Sequence, residues 1–416
     1  MRMTYRFPDI PQMKDIRLKL ENKGKRLRFS ISGRKSLIYV PLIWYFIKWL
    51  SRLGIILRRN GANVYSLYIP PIPSEADNRH LQIFLNAWLF KKKVPFAVTI
   101  AVTDECQLNC AHCSVLENAA GRRPMALAEI KQAIAESISL GVTNITFTGG
   151  EPLMRADLEE IIAAVPADKA VSLVFTNAVG LDAARAAAIS KAGAFGVQIS
   201  LDSPEPSEHD RLRGREGLFD LVKKGVENAL GEGLMVGLST YASNPSVAEK
   251  KLSRLAELAA AWGAHEVSVF DLIPTGRLLR KTEVMLTAAS RRSLLLEARR
   301  LNRRFGGRPR IITQCWTNHG RGFARFIGCL AGHYQFHISA SGEFMPCDFT
   351  PLSFGNIRDE TVAGLWEKLL RHPAYKGRCY ACRMQDPLFR KTYIDSIPQG
   401  ADMPYFIDRL SSPNCG

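Results

Sequence analysis

The sequence has no apolar run long enough to cross a bilayer as a helix. Its longest unbroken apolar and aromatic stretch, residues 37–47, is only 11 residues long and contains Pro41. The opening residues, Met1-Arg-Met-Thr-Tyr-Arg6, lack the apolar segment of a secretory signal. Acidic residues are scarce at the front: residues 1–93 carry 19 Lys and Arg against 5 Asp and Glu. Most of the formal net charge of +17 therefore belongs to that segment, and the other residues are close to neutral. Cysteine is almost absent outside a few clusters. Seven of the nine cysteines fall at clustered positions, leaving Cys315 and Cys415 apart. That distribution excludes a disulfide framework and fits a reducing, cytoplasmic setting. With 416 residues, of which 46% are apolar, two to three domains with ample core are expected.

What is present centres on Cys106-Gln-Leu-Asn-Cys110-Ala-His-Cys113. Three thiolates this close can converge on one metal centre and leave a position open for a small molecule. Soft sulfur ligands suit an iron–sulfur cluster, zinc or copper(I). A cysteine zinc site usually has four ligands, and His112, inside the regular spacing, reads as a spacer. The loop follows a strand-like run, residues 96–103, and precedes a helical pattern over 126–140. A second strand, residues 144–148, then leads into Gly149-Gly-Glu-Pro152.

Together the Cys-x3-Cys-x2-Cys loop after one strand and Gly-Gly-Glu-Pro after the next resemble the radical S-adenosylmethionine (SAM) superfamily. The resemblance implies that Cys106, Cys110 and Cys113 hold a [4Fe–4S] cluster. S-adenosyl-L-methionine would chelate the remaining iron, with Gly149, Gly150 and Glu151 supporting its amino group. It implies reductive cleavage of SAM, fed by an electron donor such as flavodoxin or ferredoxin, and hydrogen abstraction from a substrate by the resulting 5′-deoxyadenosyl radical.

Residues 96–270 alternate strand and helix patterns, six strands in all, beginning at Phe96, Asn144, Ala170, Gly196, Met235 and His265. The alternation predicts an α/β fold with a parallel sheet and right-handed crossovers. The resemblance sharpens this to a partial (β/α)6 TIM-like barrel over 96–314. Polar residues close each strand, where α/β sites lie. On the resemblance, Ser200 and Asp202 are candidates for the SAM ribose, Arg213 for its carboxylate, and the segment from Pro274 to Arg277 for its adenine. Residues 271–314 read as a basic, solvated helical stretch.

A second cysteine set follows. Cys329 and Cys347 flank a turn at Gly342, and Cys379 and Cys382 form a Cys-x2-Cys pair. Four thiolates can close a site completely, with zinc or an iron–sulfur cluster inside. The spacing resembles the auxiliary-cluster extensions of radical SAM enzymes, in the short "twitch" form of the SPASM extension. This implies an auxiliary [4Fe–4S] cluster within residues 315–385, followed by a tail, 386–416. Cys315 is expected to be a buried core thiol.

Residues 1–95 carry no motif. After Pro41 the pattern becomes helical, with Lys48, Arg52 and Arg59 on one arc and Leu42, Phe46, Trp49, Leu50, Leu53, Ile56 and Leu57 on the other. The stretch from Pro70 to Pro73 reads as an extended linker, and residues 82–90 as a short helix. A basic amphipathic extension of this kind points to peripheral membrane contact and to oxidation or bond formation on a hydrophobic or membrane-associated substrate. Nucleic acid is not expected, since no RNA-binding motif accompanies the aromatics. Two other functions stay open. One is peptide maturation, whose enzymes often bear a small N-terminal winged-helix peptide-binding domain; the front of the chain shows no compact helix–strand alternation of that kind. The other is dehydrogenation of a soluble sugar or cyclitol.

Overall fold

A computed structural model describes residues 1–23, 26–115, 122–314, 328–377 and 379–410. Cys315 and Cys415 lie outside the described residues.

The front of the chain is a folded domain, contrary to expectation. Strands β1 (Arg2–Arg6), β2 (Arg17–Lys23) and β3 (Arg26–Ser32) form an antiparallel sheet in that order. Helix α1 (Ser36–Leu53), the hairpin β4 (Leu57–Arg59) and β5 (Ala62–Val64), and helix α2 (Glu75–Phe90) follow. The strands alternate charged and apolar residues, so one face goes inward: Tyr5, Leu18, Leu20 and Leu27 are buried with Ile43, Ile47 and Leu50 of α1. The Tyr5 hydroxyl donates to Asp77 of α2 in the interior. Helix α1 starts before Pro41 and ends at Gly54, which takes a positive φ of 78°. Ile56, Leu57 and Arg59 thus lie beyond the helix that their spacing suggested. The Pro70–Pro73 stretch is no linker: Ile72 is fully buried and exchanges two backbone hydrogen bonds with Asn63.

Six strands come where expected: β6 (Ala97–Thr103), β7 (Asn144–Gly149), β8 (Val171–Thr176), β9 (Gly196–Ser200), β10 (Met235–Ala242) and β11 (Glu266–Asp271). Their order in the sheet is sequential and every pair is parallel. Intervening helices include α3 (Leu127–Leu140), α4 (Leu158–Ala163), α5 (Ala183–Lys191), α6 (Pro206–Arg213) and α7 (Leu218–Gly231). Between β10 and β11 lie two helices, α8 (Asn244–Ala248) and α9 (Lys251–Ala261).

Both sheet edges are longer than expected. Beyond α10 (Ala288–Arg304), strand β12 (Arg310–Thr313) pairs parallel with β11. On the other side β13 (Gln335–Ile338), from the second cysteine region, pairs parallel with β6, and β14 (Phe344–Met345) pairs antiparallel with β13. The auxiliary region therefore continues the barrel sheet and shares its core, through Phe336, Phe344 and the Trp366 of helix α11 (Val362–Arg371). Residues 386–410 also pack into the body. Arg390, with a side chain 3% exposed, donates to the carbonyls of Pro274, Leu279 and Met384.

The front domain closes the amino ends of the barrel strands. Ile56, Val64 and Leu67 pack with Val171, Phe195 and Met235, which begin β8 or border the starts of β9 and β10. Arg59 donates to the Phe195 carbonyl. Glu266, the first residue of β11, accepts from the Ser66 hydroxyl at 2.8 Å and the Leu67 amide at 3.3 Å. Arg310 donates to the carbonyls of Leu53 and Gly54 at the end of α1.

Burial raises the Glu266 carboxyl to about 7, against the opposing hydrogen bond from Ser66 and the charge of Arg310. A carboxyl raised on folding is protonated in the native state where the unfolded chain is already ionised. Its contribution is fully present below about pH 4.3 and is lost as pH rises through about 7. Glu266→Gln should therefore gain stability relative to wild type between pH 5 and 8, by up to ~3 kcal/mol. Urea unfolding of anaerobic protein at several pH values would measure it; a difference independent of pH would contradict the assignment.

Candidate active site

The loop carrying Cys106, Cys110 and Cys113 leaves the carboxyl end of β6 and is fastened by its neighbours' backbones. The Gly150 amide donates to the Thr103 carbonyl and the Glu151 amide to the Glu105 carbonyl, both at 2.8 Å. On α6, the Leu212 carbonyl accepts from the Ala111 amide at 3.1 Å. After β11, the Arg277 amide donates to the Cys113 carbonyl and its guanidinium to the Cys110 carbonyl. These approaches leave no space for side chains. A Cβ on Gly149 would stand 2.1 Å from the Thr103 carbonyl oxygen, one on Gly150 2.1 Å from that of Glu105, and one on Gly276 2.2 Å from that of Cys113. The two glycines of the Gly-Gly-Glu-Pro segment are thus required first by the chain's own cluster loop.

Glu151 is turned inward. Its carboxylate, 1% exposed as a residue, accepts from the Thr176 hydroxyl, the Asn177 amide and the Leu153 amide. Burial pushes its carboxyl up to about 7 against those hydrogen bonds. These hydrogen bonds make Glu151 a tie between the ends of β7 and β8. Asn177, held by it, directs its side-chain amide to Cys106 Sγ at 3.7 Å, a contact that suits a thiolate.

Burial raises the thiols of Cys106 and Cys110, the latter to about 11, and neighbouring cysteines of the trio add to both shifts. Three thiols that feel one another in a half-buried loop fit a cationic cluster, which would hold them as thiolates. Among the described residues no three His, Cys, Asp or Glu side chains converge at single-ion spacing.

Asp202 and Arg213 are brought together, though not as expected. The guanidinium binds the carboxylate through two hydrogen bonds, 2.6 and 3.0 Å, and Asp202 has a side chain only 1% exposed. His112 Nε2 lies 3.3 Å from the same carboxylate, and its ring packs 4.2 Å from Tyr241. Burial pushes Asp202 up, but Arg213 and His112 outweigh it and leave the carboxyl below its usual range. Asp202 is therefore tied to both Arg213 and His112. His112 is no spacer, and its Nδ1 is buried without a protein partner, which suits a ligand in front of the loop. Ser200 lies at the end of β9, 3.5 Å from Ser239 Oγ.

The cysteines of the second set lie near enough for their charges to act on one another. Burial raises Cys329, Cys347 and Cys382, and the charges of their fellow cysteines, Cys379 included, add to the shifts. The Cys329 amide donates to the Cys379 carbonyl at 2.7 Å, and a Cβ on Gly328 would stand 2.4 Å from that oxygen. Gly342 has the positive φ of 85° that its turn requires.

Glu151→Ala would strand three buried donors, at about 1–3 kcal/mol each. The variant should retain less iron per chain and lose the SAM-induced change in the cluster's electron paramagnetic resonance (EPR) spectrum, with Glu151→Gln intermediate. Iron content and spectrum unchanged in the alanine variant would show that the tie does not position the loop.

Comparison with known proteins agrees with this geometry. The Radical SAM superfamily model matches residues 100–275, and the SPASM model, an iron–sulfur cluster-binding domain, matches residues 329–383. An AdoMet-dependent heme synthase of Methanosarcina barkeri is 28% identical over 319 residues, 69% of this chain and 88% of its own length. A PqqA peptide cyclase of Methylocella silvestris is 24% identical over 294 residues, 68% of this chain and 77% of its own. Among solved structures, Streptococcus suis SuiB bound to its precursor peptide SuiA superposes with a TM-score of 0.60 at 17% identity, covering 99% of this chain and all of that one (100%). This last likeness is one of fold. Residues 100–275 thus carry a radical SAM domain and residues 329–383 a SPASM domain, which together imply S-adenosyl-L-methionine and [4Fe–4S] clusters.

Proposed function

We propose that this radical SAM enzyme modifies a peptide, recognised by residues 1–95 and altered at the carboxyl ends of the barrel strands. In this reading Cys106, Cys110 and Cys113 hold the SAM cluster, and Cys329, Cys347, Cys379 and Cys382 hold the auxiliary cluster. Gly149 and Gly150 seat the first loop. Arg213, held by Asp202, and His112 face the SAM, with Ser200 beside them. When bound, the first cluster supplies the electron that cleaves SAM, drawn from a donor such as flavodoxin or ferredoxin. The closed thiolate set of the second suits electron transfer.

One observation carries the substrate class: a folded domain with an unpaired strand edge sits at the opposite end of the barrel from the cluster loop. Strand β3 pairs with β2 alone among the described residues. Such an edge takes an extended peptide by strand addition. Strand β10 has 8 residues, so the two ends of the barrel are separated by about 25 Å. A substrate held at one end and altered at the other must be long, and about eight extended residues span that distance. The similarity to PqqA peptide cyclases and to SuiB with its precursor peptide supports the same class. A membrane-associated substrate has less support. The helix residues expected to meet it, Leu42, Phe46, Trp49, Leu50 and Leu53, pack against the front domain's own core.

The test is to synthesise short peptides encoded beside the gene and incubate each with reconstituted enzyme, SAM and dithionite. One peptide should raise 5′-deoxyadenosine formation and change mass. The same peptide should slow amide exchange in residues 28–32. Turnover of a small-molecule extract fraction alone, with no peptide altered, would contradict the proposal.

A further inference from the structure

Helix α1 has a second face that the front domain does not use. Ile43, Ile47 and Leu50, 2%, 8% and 0% exposed, point inward. On the opposite side Leu37, Ile38, Trp44 and Tyr45 are 82%, 68%, 52% and 45% exposed. These four, with exposed Pro41, Lys48 and Arg52, occupy roughly a third of the helix circumference. They make the largest grouping of exposed large apolar residues among the described positions; the others, such as Leu221, Leu296 and Leu388, lie on separate elements.

The basic residues around this face are placed at its two ends. Arg34 and Lys35 are exposed just before the helix, and Lys48 and Arg52 end the apolar stripe. Lys48 lays its ammonium 4.4 Å from the Trp44 ring centroid. Aromatic rings with an apolar body and a polar edge, flanked by cations, match the boundary between lipid headgroups and acyl chains. Among the described residues no helix is long and apolar enough to cross a membrane, so α1 would meet a bilayer along its surface. Its N-terminal half offers apolar side chains, and its ends offer positive charge.

We propose that the outward face of α1 docks on an anionic lipid surface, inserting Leu37, Ile38, Trp44 and Tyr45 while Arg34, Lys35, Lys48 and Arg52 meet the headgroups. This face is distinct from the β3 edge and from the cluster loop, so docking leaves the peptide reading untouched. The lipid-facing residues are not those the sequence periodicity selects. The heptad-like side containing Leu42, Phe46 and Leu50 turns toward the protein, and the exposed side alone is free for lipid.

The experiment is co-sedimentation of anaerobically reconstituted full-length enzyme with vesicles. One set is phosphatidylcholine alone and the other contains phosphatidylglycerol, each at low and high salt. Wild type should bind the anionic vesicles and keep a salt-resistant fraction, because apolar insertion is not screened. Leu37→Ser with Ile38→Ser and Trp44→Ser should abolish that fraction, with iron content unchanged. Lys48→Glu with Arg52→Glu should weaken low-salt binding by at least roughly fivefold per residue. Quenching of Trp fluorescence by brominated lipid should drop in Trp44→Phe. Complete release of wild type at high salt, equal binding by the triple serine variant, or indifference to vesicles would overturn the proposal. So would conversion of a dimer to a monomer by that variant, which would make the face a contact between copies.

Discussion

The site depends on one steric constraint: a loop bearing three thiols has to be held by backbone contacts from strand ends around it. Gly149, Gly150 and Gly276 allow those contacts, since a Cβ at each would lie near 2 Å from a loop carbonyl. Once backbone holds the loop, side chains are released for other work. Glu151 can bind the end of β8, and Arg277 can bridge two cysteine carbonyls. Replacing any of these glycines would require movement of the loop itself rather than of a flexible side chain.

Charge follows the same division. Asp202 keeps a carboxylate in a position that burial alone would neutralise, because Arg213 and His112 face it. The pair fixes the guanidinium while leaving part of its fork free, as a carboxylate-binding site needs. At Glu151 and Glu266 burial outweighs the opposing hydrogen bonds and charges and raises both to about 7. The two ends of the barrel thus hold their buried acids differently: a fixed ion pair beside the cluster loop, hydrogen-bonded carboxyls where strands and domains are joined.

The 106–113 cysteine loop, the Cys379–Cys382 pair and the six parallel strands were legible because each is local. Spacing alone brings the thiols of a loop together, and β-branched runs bounded by turns announce strands. The Asp202–Arg213–His112 group was not, since it joins residues from β9, α6 and the cluster loop and only tertiary structure sets its geometry. For His112 the one available signal was a lone aromatic base amid three thiols, which regular spacing made look like filler. The front domain did leave a signal: Arg17-Leu-Lys-Leu and Arg26-Leu-Arg-Phe-Ser-Ile-Ser alternate with the period of a strand. The dense positive charge of the same segment also fits a solvated extension, so the alternation alone did not decide its fold. Pro41 likewise suggested a helix start that lies five residues earlier, at Ser36. Short β12 and β13 had no periodicity long enough to read, and they owe their place to pairing with β11 and β6.

The two cysteine sets should assemble two separate iron–sulfur centres, only one of which answers to SAM. Anaerobic reconstitution followed by iron analysis and EPR tests it most directly. Wild type should hold about eight irons, four for each cubane. Replacing Cys106, Cys110 and Cys113 together with alanine should leave about half of the iron and remove the spectral response to SAM. Replacing Cys329, Cys347, Cys379 and Cys382 should also leave about half but preserve the response. Zinc in the second centre, or a SAM response that survives loss of the first three thiols, would contradict the account.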